Sequence, residues 1–60
     1  MTKEELRSLI PIESMVYSKK ENVGYTFMGI DKNGKYQLYG LPCAYDEYIM
    51  LNSFKIDKTQ

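Results

Sequence analysis

Few side chains of this chain could carry acid–base or nucleophilic chemistry, and their spacing is poorly suited to it. Histidine is absent, which removes an imidazole base, the Ser-His-Asp and Cys-His arrangements and an imidazole metal ligand. Asp46 and Glu47 are adjacent, so on a strand their carboxylates point to opposite faces and cannot act on one substrate atom. A solvated turn is the better interpretation of this acidic pair.

The single cysteine lacks a residue that could activate it as a nucleophile, and the acidic turn lacks a full set of calcium ligands. Cys43 has no histidine to activate it and no basic residue close in sequence, so we expect it to be a buried or half-buried small apolar residue. The D-K-N-G stretch at 31–34 is similar to the start of a calcium loop, but Lys35 and Tyr36 occupy the places of the required oxygen ligand and glycine. The glycines are scattered, and none opens a phosphate-binding loop. We therefore expect a non-enzymatic protein without a cofactor or a metal.

Aromatic side chains are the strongest candidates for recognition. The 60 residues include six tyrosines and two phenylalanines but no tryptophan. A buried tyrosine needs a partner for its hydroxyl, and a small domain can hide few such groups, so several tyrosines should reach the surface. Tyrosine is favoured at recognition surfaces because it supplies a large contact area with little loss of rotamer entropy. We predict a partner-binding patch formed by Tyr17, Tyr25, Phe27 and Tyr39.

A β-hairpin from Val23 to Leu41 is the element that must position most of these aromatic residues. Its turn at 31–35 has Asp first and Gly fourth, which is typical of a three-residue loop with a G1 bulge. The rival two-residue turn at Asn33-Gly34 would mix the two faces of the hairpin, so we prefer the first register. The cross-strand pairs predicted by that register are Asp31–Lys35, Ile30–Tyr36, Met28–Leu38 and Phe27–Tyr39.

Both faces of the hairpin are apolar in this register, although one face of a small antiparallel sheet is normally polar. One face would carry Met28, Ile30, Tyr36 and Leu38, and the other Tyr25, Phe27, Tyr39 and Leu41. Two interpretations stay open. The second face binds a partner or a second copy, or it lines the core while Met28, Ile30 and Leu38 point outward. Glycines at positions 24, 29 and 40 favour strong bending of the strands.

The first ten residues, 1–10, predict a short helix. Thr2 with Glu5 three residues later is a capping box, and Met1 and Leu6 suit a hydrophobic staple. Pro11 would end the helix. Its apolar stripe consists of Leu6, Leu9 and Ile10. A helix this short needs tertiary contacts, and we expect it to close an open end of the sheet.

The rest of the chain, 12–56, is predicted to form antiparallel strands. A first strand spans Ile12 to Lys19, with Ile12 and Val16 on one face, and a polar turn follows at 19–22. Leu41-Pro42 breaks the third strand or places it at an edge.

The C-terminal third of the chain is more ambiguous. Residues 43–45 suit a short fourth strand. Residues 48–56 fit either a strand or a helix begun by Asp46 and Glu47, and we favour the strand because their apolar residues can share one strand face. Residues 57–60 are expected to form a frayed tail.

These elements predict a single domain, 1–60, with a mainly β, α+β fold: a short helix followed by a meander of four or five antiparallel strands. This order of elements resembles a small SH3-like or tudor-like barrel, and a curled sheet is the other form it could take. A domain of 60 residues is marginally stable alone, so a homodimer is a further expectation. A single cysteine, no apolar leader and no apolar run long enough to cross a bilayer favour a cytoplasmic protein.

Net charge helps to choose between a protein-binding and a nucleic-acid-binding function. Eight basic and eight acidic residues give zero net charge, which argues against a strongly basic nucleic-acid binder. We expect a protein-binding module that docks through an aromatic face on a larger protein, as an accessory or inhibitory factor like many small bacterial or phage proteins. The alternative is a barrel that binds single-stranded nucleic acid, with aromatic residues stacking on bases beside lysines. Lys19 and Lys20 lie in one predicted turn and Lys32 and Lys35 in the next, so the lysines should not converge.

Overall fold

The computed structural model describes residues 1–56, which form a four-stranded antiparallel sheet with two helices packed on one of its faces. The strand order is β3-β2-β1-β4, so β3 and β4 lie at opposite edges. This architecture confirms the mainly β, α+β fold with a short N-terminal helix. In chain order the elements are α1 (Lys3–Arg7), β1 (Met15–Ser18), β2 (Gly24–Ile30), β3 (Tyr36–Leu38), α2 (Glu47–Ser53) and β4 (Phe54–Lys55).

Helix α1 begins with the capping box that the sequence predicts. The Thr2 hydroxyl accepts a hydrogen bond from the Glu5 backbone N–H over 3.1 Å, and the Glu5 carboxylate accepts one from the Thr2 N–H over 2.8 Å. Leu6 is fully buried in the core. The helix ends at Arg7, well before Pro11, so the predicted span of ten residues is too long.

A tight turn, rather than the predicted start of a strand, precedes β1. The Ser14 hydroxyl accepts a hydrogen bond from the Ile10 N–H over 2.9 Å, and the Ser14 N–H donates to the Ile10 carbonyl over 2.9 Å. Ile12 adopts φ 72°, which is rare for a β-branched residue, and its N–H donates to the Phe27 carbonyl over 2.6 Å. The predicted sharing of a face by Ile12 and Val16 is therefore wrong, because Ile12 leaves the ladder and is 72% exposed.

The turn of the β2–β3 hairpin is the three-residue loop that the sequence predicts. The Asp31 N–H donates to the Lys35 carbonyl over 2.8 Å, and the Gly34 N–H donates to the Asp31 carbonyl over 3.0 Å. Gly34 adopts φ 78°, as the G1 position of such a loop requires. Ile30 pairs with Tyr36, which confirms the register next to the turn.

A β-bulge between Phe27 and Gly29 changes the register of the remaining hairpin. Met28 is the extra residue, and Phe27 pairs with Leu38. Gly29 adopts φ 122°, a conformation that strains any residue with a side chain. The predicted pairs Met28–Leu38 and Phe27–Tyr39 are therefore wrong, because a one-residue shift turns side chains to the opposite face.

Residues 47–53 form helix α2 instead of the predicted strand. Asp46 is its N-cap, and the Asp46 carboxylate accepts a hydrogen bond from the Ile49 N–H over 2.9 Å. The strand that follows, β4, has two residues and lies antiparallel to β1, where Phe54 pairs with Ser18.

Between β3 and α2 the chain runs along the edge of β3. Tyr36 and Tyr45 exchange two backbone hydrogen bonds of 2.7 and 2.9 Å. This isolated bridge takes the place of the strand predicted at 43–45, and it covers part of the β3 edge. The predicted frayed tail, 57–60, lies outside the described residues.

The core lies between the helices and one face of the sheet. The rings of Phe27 and Tyr36 pack at a tilt of 38° with their centroids 5.8 Å apart, and the partly buried Tyr25 makes an edge contact with Phe54 at 6.3 Å. Neither helix in the described part of the chain is long and apolar enough to cross a lipid bilayer. Each helix and strand contributes to the buried set, which is Leu6, Val16, Phe27, Tyr36, Leu38, Met50 and Phe54.

Candidate functional site

The sheet face that points away from the helices, which we call the outer face, carries alternate residues of the strands. Thr26 pairs with Met15 on one side and accepts the Tyr39 N–H over 2.8 Å on the other. Tyr39, which directly follows β3, therefore lies in one row with Thr26 and Met15 across the sheet. The strand registers assign to the outer face Met15, Tyr17, Gly24, Thr26, Met28, Gln37, Tyr39 and Lys55.

Three side chains of the outer face are large, apolar and exposed. Tyr39 is 70% exposed, Met15 is 43% exposed and Met28 is 40% exposed. Lys55 is the charged residue of the face, and it lies on the edge strand β4. Protein interfaces are enriched in tyrosine and methionine and contain few charges at their centre, and the outer face has this composition.

Tyr17 packs over Gly24 on the neighbouring strand. The two residues are cross-strand partners, and a Cβ atom on Gly24 would lie 2.7 Å from a ring carbon of Tyr17 and 3.0 Å from the Met15 methyl group. The glycine therefore makes room for the aromatic ring, which is half-buried against the sheet. A ring that is already held in place loses little conformational entropy when a partner binds.

The four residues of the predicted patch are divided between the two faces of the sheet. Tyr17 and Tyr39 lie on the outer face, whereas Tyr25 and Phe27 point into the core, where Phe27 is 2% exposed. The bulge at Met28 separates Tyr39 from Phe27 and Tyr25, and the β1–β2 register, in which Val16 pairs with Tyr25, places Tyr17 on the outer face. A contact patch made of all four residues is therefore not formed.

The two exposed methionines of the outer face were absent from the predicted patch. Met15 is two residues from Tyr17, so the alternation of faces along β1 was sufficient to identify it. Met28 could not be identified in this way, because an unbulged hairpin places it on the same face as Leu38.

The outer face continues into a shallow cleft of about 380 Å³ beside β3, whose lining includes Met28, Tyr39, Pro42 and Cys43. Cys43 is exposed, in contrast to the full or partial burial expected from the sequence. A hydrogen bond with the Cys43 side chain raises the pKa of the Tyr45 hydroxyl, and partial burial of Tyr45 raises it further. Because Cys43 is exposed and lines the cleft, chemical modification of its thiol can report whether the cleft is accessible.

The four lysines of the two turns do not converge on a single site. Lys19 and Lys20 lie in the turn between β1 and β2, and Lys32 and Lys35 lie in the turn between β2 and β3, at the opposite end of β2. These four lysines therefore do not form a continuous basic track for a nucleic-acid strand. Within residues 1–56, no three Asp, Glu or Cys side chains come together as a metal site.

Comparisons of this chain with protein-family models, with curated proteins and with solved structures found no match. Its function must therefore be argued from its own geometry.

Proposed function

We propose that this protein is a small, non-enzymatic module that docks on a larger protein through its outer face. The observation that carries the proposal is the exposure of Tyr39, Met15 and Met28 on the sheet face that both helices leave uncovered. Such a face is polar in most small antiparallel sheets, because water is its only neighbour. Contiguous apolar exposure on a soluble domain instead marks an interaction site.

The size of the chain limits how such an interface is built. A standard interface buries about 800 Å² on each partner, and the accessible surface of the chain is 4251 Å². Four short strands spaced about 4.8 Å apart offer less than that area on one face. The interface should therefore extend from the outer face into the cleft that Tyr39, Pro42 and Cys43 line.

The test compares two exposed tyrosines. Tyr39, 70% exposed, lies on the outer face, and Tyr48, 74% exposed, lies on α2 and serves as the matched control. The immobilised full chain captures proteins from a cell extract, and a captured protein is then purified for affinity measurements. Tyr39→Ser should weaken its binding by about tenfold or more, the loss expected at an interface hot spot, whereas Tyr48→Ser should leave it unchanged.

Alkylation of Cys43 supplies a second readout. The thiol lines the cleft and is exposed, so a partner seated there should slow its reaction with a maleimide. Docking through the outer face is wrong if Tyr39→Ser binds as tightly as the wild-type chain. It is also wrong if the chain captures no protein and stays monomeric.

A second copy of the chain is the other protein that the outer face could bind. Light scattering over a dilution series separates the two cases. A dimer that persists at micromolar concentration and is dissociated by Tyr39→Ser, but not by Tyr48→Ser, would assign the face to self-association.

A further inference from the structure

We infer that a cavity between α1 and the β2–β3 hairpin binds one bulky apolar side chain from an acidic segment of a partner protein. The cavity has a volume of about 300 Å³ and lies on the helix side of the sheet, opposite the outer face. The inference does not depend on the outer face, and either surface can fail its test alone. Its apolar lining consists of Leu6, Leu9, Pro11, Phe27, Ile30 and Tyr36.

The volume of this cavity decides what it can hold. Pockets for drug-sized ligands span about 300–1,000 Å³, so this one lies at the lower limit and suits a single side chain. Leu6 and Phe27 form its floor but are almost fully buried, so an inserted side chain would contact mainly the more exposed apolar residues of the lining, Leu9, Pro11 and Ile30. A phenylalanine or a leucine from a partner fits this environment best.

Exposed isoleucines lie at the cavity or next to it in the chain. Ile30 lines the cavity, and Ile10 and Ile12 are the exposed neighbours of Pro11, which also lines it. The Pro11 ring lies against Gly29, where an added Cβ atom would be 3.8 Å from Pro11 Cγ, so this segment is seated beside β2. An apolar pocket with exposed apolar residues beside it is typical of a docking site for a protein segment.

Backbone strain at Ile12 supports a role in binding. Its φ of 72° costs free energy for an isoleucine, whereas glycine or asparagine adopts this conformation readily. The side chain is 72% exposed, so it adds little to the packing of the fold. Contact with a partner explains why an isoleucine occupies a position that the backbone disfavours.

Arg7 determines the charge of the expected segment. It is the charged residue that lines the cavity, and it lies in the last turn of α1. Arg7 is exposed, so its guanidinium can reach a carboxylate of the partner. An aspartate or a glutamate next to the inserted apolar residue would meet this charge.

The test uses short capped peptides as probes of the full-length, isotope-labelled chain. The first peptide is acetyl-Gly-Asp-Phe-Asp-Gly-amide, and the two matched peptides replace both Asp by Lys or the Phe by Ala. Nuclear magnetic resonance titration should show weak binding of the first peptide, with shift changes concentrated at Leu9, Ile30 and Tyr36. The lysine peptide should bind about threefold more weakly, as expected for one exposed ion pair, and the alanine peptide should cause no shifts.

Three variants complete the test. Ile12→Asn keeps a residue that tolerates the left-handed conformation, so it should fold at least as well as the wild-type chain and bind the first peptide more weakly. Arg7→Gln should remove the preference for Asp over Lys. Val23→Ser, an exposed β-branched residue just before the far end of β2, is the matched control and should bind as the wild-type chain does. Equal shifts for all three peptides, shifts confined to the outer face, or wild-type binding by folded Ile12→Asn would each overturn the inference.

Discussion

Phe27 lies directly opposite Leu38 across the β2–β3 hairpin, and the two side chains are only 2% and 4% exposed. Tyr39, the residue after Leu38, consequently points to the other face and is 70% exposed. This pairing determines which aromatic residues hold the core together and which reach the solvent.

Truncation of Phe27 should therefore affect stability far more than truncation of Tyr39. Phe27→Ala should destabilise the fold by about 3–5 kcal/mol, because it opens a cavity in a core that cannot fully collapse around it. That loss is comparable to the whole stability expected of a 60-residue domain, at about 0.1 kcal/mol per residue. Tyr39→Ala should change stability by no more than about 0.5 kcal/mol. Urea unfolding followed by circular dichroism measures both, and similar losses in the two variants would contradict the assigned register.

The packing of Tyr17 on Gly24 can be tested with a double-mutant cycle. Gly24→Ala should destabilise the chain by about 1 kcal/mol or more, because the new methyl group overlaps the Tyr17 ring. In a Tyr17→Ala background the same change should be neutral or stabilise by about 0.4–1 kcal/mol, since alanine restricts the unfolded chain. Additive effects in urea unfolding would show that the ring does not lie over the glycine.

The cap of α2 should contribute measurably to stability. Asp46→Ala removes the carboxylate that accepts the Ile49 N–H, and it should destabilise the fold by about 1 kcal/mol. Asp46→Asn keeps an acceptor at the N-cap and should lose much less. Thermal unfolding monitored by circular dichroism compares the two, and equal losses would indicate that the side-chain cap is unimportant.

Tyr45 should titrate above its ordinary pKa of 10.0, because the Cys43 hydrogen bond and then burial favour the neutral phenol. Folding therefore gains stability from this group below pH 10, and that contribution is lost as the pH rises through the higher folded pKa. Cys43→Ala should lower the pKa of Tyr45 by removing both the hydrogen bond and the Coulombic interaction with the Cys43 side chain. Ultraviolet titration of tyrosinate, with Tyr45→Phe to assign the transition, measures the change. Identical titrations in the wild-type and Cys43→Ala chains would contradict the contact.

Several features could be predicted from the sequence because they depend on residues close together in the chain. The capping box joins Thr2 and Glu5, and the loop at 31–35 is closed by hydrogen bonds within five residues. The Asp46 cap was also readable, but an apolar alternation along 48–56 competed with it and favoured a strand. Met50 is fully buried whereas Tyr48 is 74% exposed, which a shared strand face does not allow, and local sequence does not report that difference.

The candidate surfaces depended more heavily on tertiary structure. The sequence determined that aromatic residues outnumber the places available in a small core, and it singled out Tyr17 and Tyr39, which lie on the outer face. Only the folded chain shows that Tyr25 and Phe27 point inward. The physical reason is that a bulge of one residue at Met28 reverses the faces, and its formation depends on how the whole hairpin packs.

The left-handed turn at Ile12 shows the same division between local and tertiary causes. An isoleucine disfavours φ 72°, so propensity alone predicts an extended residue at this position. The conformation is held by the bond from the Ile12 N–H to the Phe27 carbonyl, which joins residues far apart in the chain. Hydrogen bonds between neighbours can be predicted from residue types, whereas contacts that close long loops are decided only when the sheet and its helices pack together.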